Sequence, residues 1–403
     1  MMKNWCIAAI ALLALVSCGG QQKQKKDFIA DNVIFAEKQI GLEFKKMDSL
    51  NVILNPRTIL PDGETRYNTP MLWTSGFFPG SLWYLYDLTG QDVWKDRAMK
   101  VNKTIEEVQY NTKHHDVGFM IYCSFGNGYR LTKNPEYKQI IINAAKSLST
   151  RFRPKVGCIQ SWDVNHGWQA KRGWQCPVII DNMMNLELMF EASKLSGDNS
   201  FRDIAIKHAN TTLDHHFRPD YSSYHVVDYD SITGQVRNRV TAQGFADESA
   251  WSRGQAWALY GYAVCYRETK DKRYLDLANH VANFVLSHPR LPKDMIPLWD
   301  FDCTDKYKTL RDASAAAVIA SGLYELSTYN EGAQGDKFKA AADKMVESLG
   351  SPSYRAKLGE NNNFLLMHSV GSIPHGAEID VPLNYADYYF LEALVRKRNL
   401  EKK

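Results

Sequence analysis

The chain has 403 residues, 44 % of them apolar and 12 % aromatic, enough for a substantial core in one large domain or two ordinary ones. Its formal net charge is +4 with both signs interspersed, which offers a nucleic acid no basic face. Beyond Cys18 no apolar run approaches the roughly 20 residues that a membrane span needs.

Met1-Met2-Lys3-Asn4 followed by an apolar run from Ile7 to Val16 reads as a signal peptide over 1–17. Its Leu15-Val16-Ser17-Cys18 ending resembles a bacterial lipobox, with Cys18 as the lipidated mature N-terminus; the alternative is an ordinary signal peptide that merely contains Cys18. A polar tether over 18–27 leads to a single domain over 28–403. The expected protein is exported and held by its lipid on the periplasmic side of a bacterial envelope. Cys123, Cys158, Cys176, Cys265 and Cys303 form an odd, scattered set with no Cys-x-x-Cys. That argues against a disulfide scaffold or a zinc cage and for buried small hydrophobes, with one bridged pair left open.

About twelve helix-length stretches follow, near 28–50, 74–88, 91–110, 118–132, 135–152, 182–196, 200–216, 249–268, 272–287, 312–328, 336–349 and 383–398. They form a repeat of helix, short polar turn, aromatic and Ala-rich helix. The turns read Leu88-Thr89-Gly90, Leu131-Thr132-Lys133, Leu195-Ser196-Gly197 and Glu268-Thr269-Lys270, with a looser copy from Leu326-Ser327 to Phe338. In each copy an aromatic precedes a small or apolar residue by one helical turn: Trp94 and Ala98, Tyr137 and Ile141, Phe201 and Ala205, Tyr274 and Ala278, Phe338 and Ala342. Six such hairpins predict an all-α (α/α)6 toroid; an open helical solenoid is the alternative. The long loops from Arg153 to Asp181 and from Arg218 to Glu248 carry Trp, His, Asp and Gly, which marks them as functional and favours the closed ring. Val226 to Tyr229, before Thr233-Gly234, reads as one short hairpin strand.

Two carboxylates stand at predicted helix starts, Asp116 after His114-His115 and Asp181 after Pro177-Val178-Ile179-Ile180. Either is readable as an N-cap. Facing each other across one pocket, they would instead push one pKa upward, as a general acid requires. The dipole of the following helix opposes that shift, so burial or mutual repulsion must outweigh it. Trp162, Trp168, Trp174, His166 and Arg172 crowd the approach to Asp181 and suggest a sugar platform. His-His-Asp has the residue types of a metal site, but adjacent histidines are expected to diverge and no fourth ligand has matching spacing, so no metal or other cofactor is expected. Trp251, Arg253 and Trp257 fall within two turns at a helix start, as a carboxylate clamp with stacking rings or as two core tryptophans and a surface arginine. The loop from Met367 to Gly376 carries Ser369, Ser372 and His375, as an anion site or as plain surface.

His115-Asp116-x-Gly118-Phe119, Asp181-Asn182-Met183-Met184-Asn185-Leu186 and Trp251-x-Arg253-Gly254-Gln255-Ala256-Trp257, in this order, resemble the unsaturated glucuronyl hydrolases of glycoside hydrolase family 88. The likeness runs from Trp73 to Leu394. It implies an (α/α)6 barrel without a metal. It also implies removal of a non-reducing 4,5-unsaturated uronic acid from lyase-generated oligosaccharides by hydration of the C4=C5 vinyl ether. Asp181 would then be the acid and base, and Asp116 would hold sugar hydroxyls and tune it. His115, Gln243, Trp251, Arg253 and Trp257 would line the uronate subsite, with Trp73 and His225 matching less closely. Family members acting on sulfated chondroitin or hyaluronan fragments carry Ser-x-x-Ser-x-Lys in the final loop; here Ser369 and Ser372 stand, but Pro374 takes the Lys position. The expected substrates are glycosaminoglycan fragments of the heparin, heparan or chondroitin type, with heparin- or heparan-type or unsulfated ones favoured over 6-sulfated galactosamine. The rivals are the related pectin-fragment hydrolases of family 105 and a non-catalytic glycan-binding lipoprotein.

Overall fold

The computed structural model describes residues 27–402. The expected signal peptide, Cys18 and all of the tether before Asp27 lie outside the described residues. The chain opens on α1 (Phe28–Leu50), whose cap Asp27 accepts the N–H groups of Ile29 and Ala30. The hairpin of β1 (Pro56–Ile59) and β2 (Thr65–Tyr67) leads to α2 (Phe77–Thr89) and α3 (Asp92–Thr104). Next come α4 (Val117–Ile121), a π turn at Tyr122–Gly126, α5 (Asn127–Thr132) and α6 (Pro135–Ser149). β3 (Phe152–Arg153), β4 (Cys158–Ile159), the short α7 (Gly167–Ala170) and β5 (Cys176–Ile179) fill the first long loop. A 3-10 turn at Ile180–Asn185 then runs into α8 (Leu186–Ser196) and α9 (Asn199–His215). β6 (Val226–Tyr229) and β7 (Val236–Val240) precede α10 (Ser252–Thr269), α11 (Lys272–Ser287), α12 (Ala313–Ser327) and α13 (Ala333–Leu349). The hairpin of β8 (Ser369–Ser372) and β9 (Ala377–Val381) ends at α14 (Asn384–Glu401).

The repeated turns explain the hairpins atom by atom. α2, α5, α8 and α10 each end at a left-handed residue: Gly90, Lys133, Gly197 and Lys270. The hydroxyl before each one donates to the carbonyl one turn back: Thr89 to Leu85, Thr132 to Gly128, Ser196 to Ala192 and Thr269 to Cys265. The same oxygens accept the N–H two residues on, from Gln91, Asn134, Asp198 and Asp271. Asn134, Asp198 and Asp271 then cap the outgoing helices with their own side chains. One short motif thus ends the incoming helix and starts its partner.

α2, α4 with α5, α8, α10, α12 and α14 form an inner ring, each against the next, and α14 returns to α2. The ring is closed, so the toroid stands and the open solenoid does not. In α10 every residue from Ser252 to Cys265 is buried, as expected of a helix covered on all sides. The outer helices are one-faced: α11 buries Tyr274, Leu277, Ala278, Val281, Ala282 and Val285. The five aromatic–small pairs of the repeat are all buried in the common core.

The C-terminal ends of the inner helices close one side of the ring. There Glu392 accepts from the hydroxyls of Tyr84 (2.6 Å), Tyr260 (2.9 Å) and Ser321. Arg396 pairs with Glu325 at 2.7 Å, and Arg267 joins Glu187, Glu268 and Glu325. A polar cavity of about 220 Å³ lies within this floor. The predicted strand at 226–229 is present, but it is the centre of an antiparallel sheet β5-β6-β7. The other three two-stranded sheets have no counterpart in the sequence pattern; each strand is a few residues long and gives little alternation to read. The five cysteines of the domain are buried free thiols, so no pair among them is bridged.

Candidate active site

The N-terminal ends of the inner helices converge on the open side of the ring. Trp73 precedes α2, Asp116 precedes α4, Asp181 precedes α8, Arg253 lies in the first turn of α10, Asp312 caps α12, and Tyr385 lies in the first turn of α14. An inner cavity of about 120 Å³ is lined by Trp73, His114, His115, Asp116, Phe119, Trp162, Ile179, Asp181, Gln243 and Arg253. An outer one of about 310 Å³ shares Trp73, Trp162, Gln243 and Arg253, and adds Arg57, Trp168, Gly371, Ser372, His375, Ala377, Glu378 and Tyr385. The two form one cleft with a small deep end.

Neither carboxylate is a helix cap, contrary to the simpler expectation. Asp181 lies inside the 3-10 turn, which tightens the chain after β5 and leaves the carboxyl to face the cavity. Its Oδ2 has no hydrogen-bond partner. Asp116 makes no capping bond either. The N–H of Phe119 in α4 is satisfied from the start of the neighbouring inner helix, by Asn185 Oδ1 at 3.1 Å. Asn185 Nδ2 in turn donates to Asp116 Oδ1 at 3.2 Å. Gly118 permits this crossing: a Cβ there would stand 2.5 Å from Asn185 Oδ1 and 2.6 Å from its Cα. The capping duty passes to Asn185, and Asp116 is free for the cavity.

The electrostatics answer the contest between helix dipole and burial. Burial pushes the Asp181 carboxyl up to about 7, against the pull of the Arg253 charge and the Trp257 indole. Burial, then the charge of Asp181, push Asp116 up to about 8. Two carboxyls that resist ionisation therefore share one small cavity, and one of them holds a proton near neutrality. His225 Nδ1 accepts the N–H groups of Ala242 (3.0 Å) and Gln243 (3.1 Å), which puts the ring proton on Nε2, 3.7 Å from Asp181 Oδ2. Burial holds this imidazole well below its usual range, so it stays uncharged. His115 Nε2 lies 3.2 Å from Asp116 Oδ1.

The expected site residues divide into those that meet the cavity and those that back it. Trp73, His115, Asp116, Asp181, Gln243 and Arg253 line the inner cavity, and Ser372 lines the outer one. Trp257 is fully buried and packs edge-on against Phe119; Trp251 is buried against His225 and the Arg253 guanidinium. Neither lines the cleft, because the first turns of α10 are enclosed by neighbours and their rings turn sideways between them. Ser369 is likewise buried and lines neither cavity. Arg253 is committed to Asp312 at 2.9 Å and to the carbonyls of Val370 and Gly371, so it is a braced wall and not a free clamp. Trp162 and Trp168, from the first long loop, supply the aromatic faces instead. Their loop was the available signal. Arg57, Glu378 and Tyr385 had none, since nothing local links them to the site.

His114 and His115 do not diverge: their rings stack at 5.1 Å with 10° between planes. With Asp116 they bring ligand atoms within 4.8 Å of one another, and among the described residues no fourth His, Cys, Asp or Glu joins them. His114 Nδ1 already accepts the N–H of Asp116.

The sequence profile of Glycosyl Hydrolase Family 88 matches residues 60–396. An unsaturated glucuronyl hydrolase of Formosa agariphila is 45% identical over 389 residues, 96% of this chain and 95% of that protein. A crystal structure of an unsaturated glucuronyl hydrolase specific for heparin superposes with a TM-score of 0.87 at 46% identity, covering 94% of this chain and 98% of the other. A Streptococcus agalactiae unsaturated glucuronyl hydrolase variant complexed with dGlcA-GalNAc6S superposes with a TM-score of 0.75 at 28% identity, covering 92% and 91%. The closed helical toroid, the paired carboxyls at its mouth and this match along most of the domain agree, and the chain belongs to glycoside hydrolase family 88.

Proposed function

We propose that the protein removes the 4,5-unsaturated uronic acid from the non-reducing end of glycosaminoglycan fragments left by a polysaccharide lyase, with heparin- or heparan-type disaccharides as its substrates. The carrying observation is the Asp181 carboxyl: buried, held protonated up to about pH 7, unpartnered at Oδ2 and facing a cavity of about 120 Å³. That is the state required of an acid that must protonate carbon. Asp181 gives its proton to C4 as the C4=C5 bond polarises. Water then adds to C5 and returns a proton to the Asp181 carboxylate, leaving the group as it began. The hemiketal at C5 opens its ring, and the aglycone leaves from C1 with its oxygen protonated. The uncharged Nε2–H of His225, aimed at Asp181 Oδ2, steadies the carboxylate between the two steps. Asp116, anchored by Asn185, takes sugar hydroxyls, and burial together with the charge that Asp181 acquires keeps its own carboxyl protonated near neutrality. The heparin-type assignment is supported by the 46% identity to the heparin-specific relative and by Pro374 in the final loop. The protein works as an exported lipoprotein held through Cys18; labelling with a radioactive fatty acid that is lost in Cys18→Ala tests this.

The conjugated double bond absorbs in the ultraviolet, so turnover is read as decay of that absorbance on lyase digests of heparin, chondroitin and hyaluronan. Decay is expected, and among disaccharides matched in sulfation it is expected to be fastest on the heparin type. Asp181→Asn is expected to lose about two to four orders of magnitude in kcat while still binding the disaccharide. Full turnover by that variant overturns the assignment of Asp181, and no decay on any digest overturns the activity.

A further inference from the structure

The outer cavity contains one arrangement that the hydration chemistry does not use. Arg57 on β1 and Glu378 on β9 meet there, Nε to Oε1, at 2.6 Å. They are 12% and 9% exposed, although 321 residues separate them. Both terminal nitrogens of Arg57 and the second oxygen of Glu378 have no hydrogen-bond partner among the described residues. Two features accompany the placement of this carboxylate. Glu378 has φ 58, a left-handed backbone that a residue with a side chain adopts at a cost. Gly371 lies beneath it, where a Cβ would stand 2.5 Å from Glu378 Oε2.

The charges of this cavity cancel in pairs. Arg57 is matched by Glu378, and Arg253 is matched by Asp312. His375, bonded to Ser372 Oγ at 2.7 Å, is shifted toward its neutral form by partial desolvation and by the nearby Arg172 charge. Arg172 itself is exposed on the rim, over Trp168 and Trp174. The cavity thus offers donors and an acceptor side by side and no unmatched buried cation. An anion entering it gives up water without an opposite charge to replace it, and it meets the Glu378 carboxylate. A hydroxyl or an amide, which both donates and accepts, matches it.

We propose that the Arg57–Glu378 pair is a specificity element that reads the sugar following the uronate, favouring one with uncharged hydroxyl or amide substituents over one carrying a sulfate at that position. This rests on the activity proposed above. A sulfatase-type reaction that exposes the hydroxyl of that sugar is then the step that supplies the preferred substrate.

The test compares kcat/KM on pairs of unsaturated disaccharides that differ by one sulfate on the hexosamine, for the wild type, Glu378→Gln and Arg57→Met. The wild type is expected to prefer the unsulfated member. Glu378→Gln leaves the Arg57 charge unmatched and is expected to swing the ratio toward the sulfated member by about tenfold, through KM. Arg57→Met leaves the carboxylate unmatched and is expected to swing it the other way. Each ratio is taken within one variant, so partial loss of folded protein cancels. A ratio that is the same in all three proteins, or a wild-type preference for the sulfated member, overturns the proposal. Absence of turnover on both members by the wild type overturns the activity itself.

Discussion

The raised Asp181 carboxyl makes a prediction about stability that needs no substrate. A carboxyl whose folded pKa lies above its unfolded one stabilises the fold fully below the unfolded value of 3.8, and this contribution is lost as the pH rises through about 7. Between about pH 5 and about pH 8 this amounts to roughly two decades of proton affinity, or about 2.6 kcal/mol at 1.36 kcal/mol per unit. Asp181→Asn cannot ionise and escapes the loss. It also removes the charge that helps to raise Asp116, so both effects have the same sign. Asp387, buried and raised to about 7, is present in both proteins and cancels. For 403 residues the unfolding entropy is about 0.8 kcal/mol/K, so the Tm advantage of the variant should grow by about 3 °C over this pH range. Thermal unfolding followed by circular dichroism at both pH values measures it. Parallel shifts of the two proteins would refute the claim that burial at Asp181 defeats the helix dipole.

Asn185→Leu strands Asp116 Oδ1 and the Phe119 N–H; it should cost about 1–3 kcal/mol in denaturant unfolding and lower kcat more than it raises KM. Gly118→Ala drives a Cβ into the backbone of Asn185, and a loss of about 1–3 kcal/mol with a parallel fall in kcat is expected from the same two assays. Arg396→Met leaves Glu325 and Glu392 short of a buried partner and should cost about 3–5 kcal/mol, while kcat/KM per folded molecule stays unchanged.

What was legible in the sequence was what depends on near neighbours. The Thr/Ser–Gly/Lys turns carry their own hydrogen-bond chemistry, so the hairpins and their aromatic–small pairs could be read from residue order alone. The two carboxylates could be read as positions at helix starts, but their freedom from capping could not. That freedom depends on a 3-10 turn at Asp181 and on an asparagine from another helix serving Phe119. The tryptophans of α10 misled for a related reason: residue type suggested stacking faces, whereas orientation is set by the ring of neighbours around the helix. The Arg57–Glu378 pair joins the two ends of the chain across the closure of the toroid, a relation that no local pattern expresses.

The tyrosine and ion-pair floor sets how the enzyme can move along its substrate. With the far side of the ring closed, a sugar that reaches Asp181 has no onward path. The cleft is a dead end that admits a chain terminus and never a chain interior. The released uronic acid must leave by the way it came, past the remainder of its own oligosaccharide. Each catalytic cycle therefore begins with a fresh encounter. Processive shortening of a long chain is closed to this architecture, and the protein is suited to finishing short fragments one end at a time.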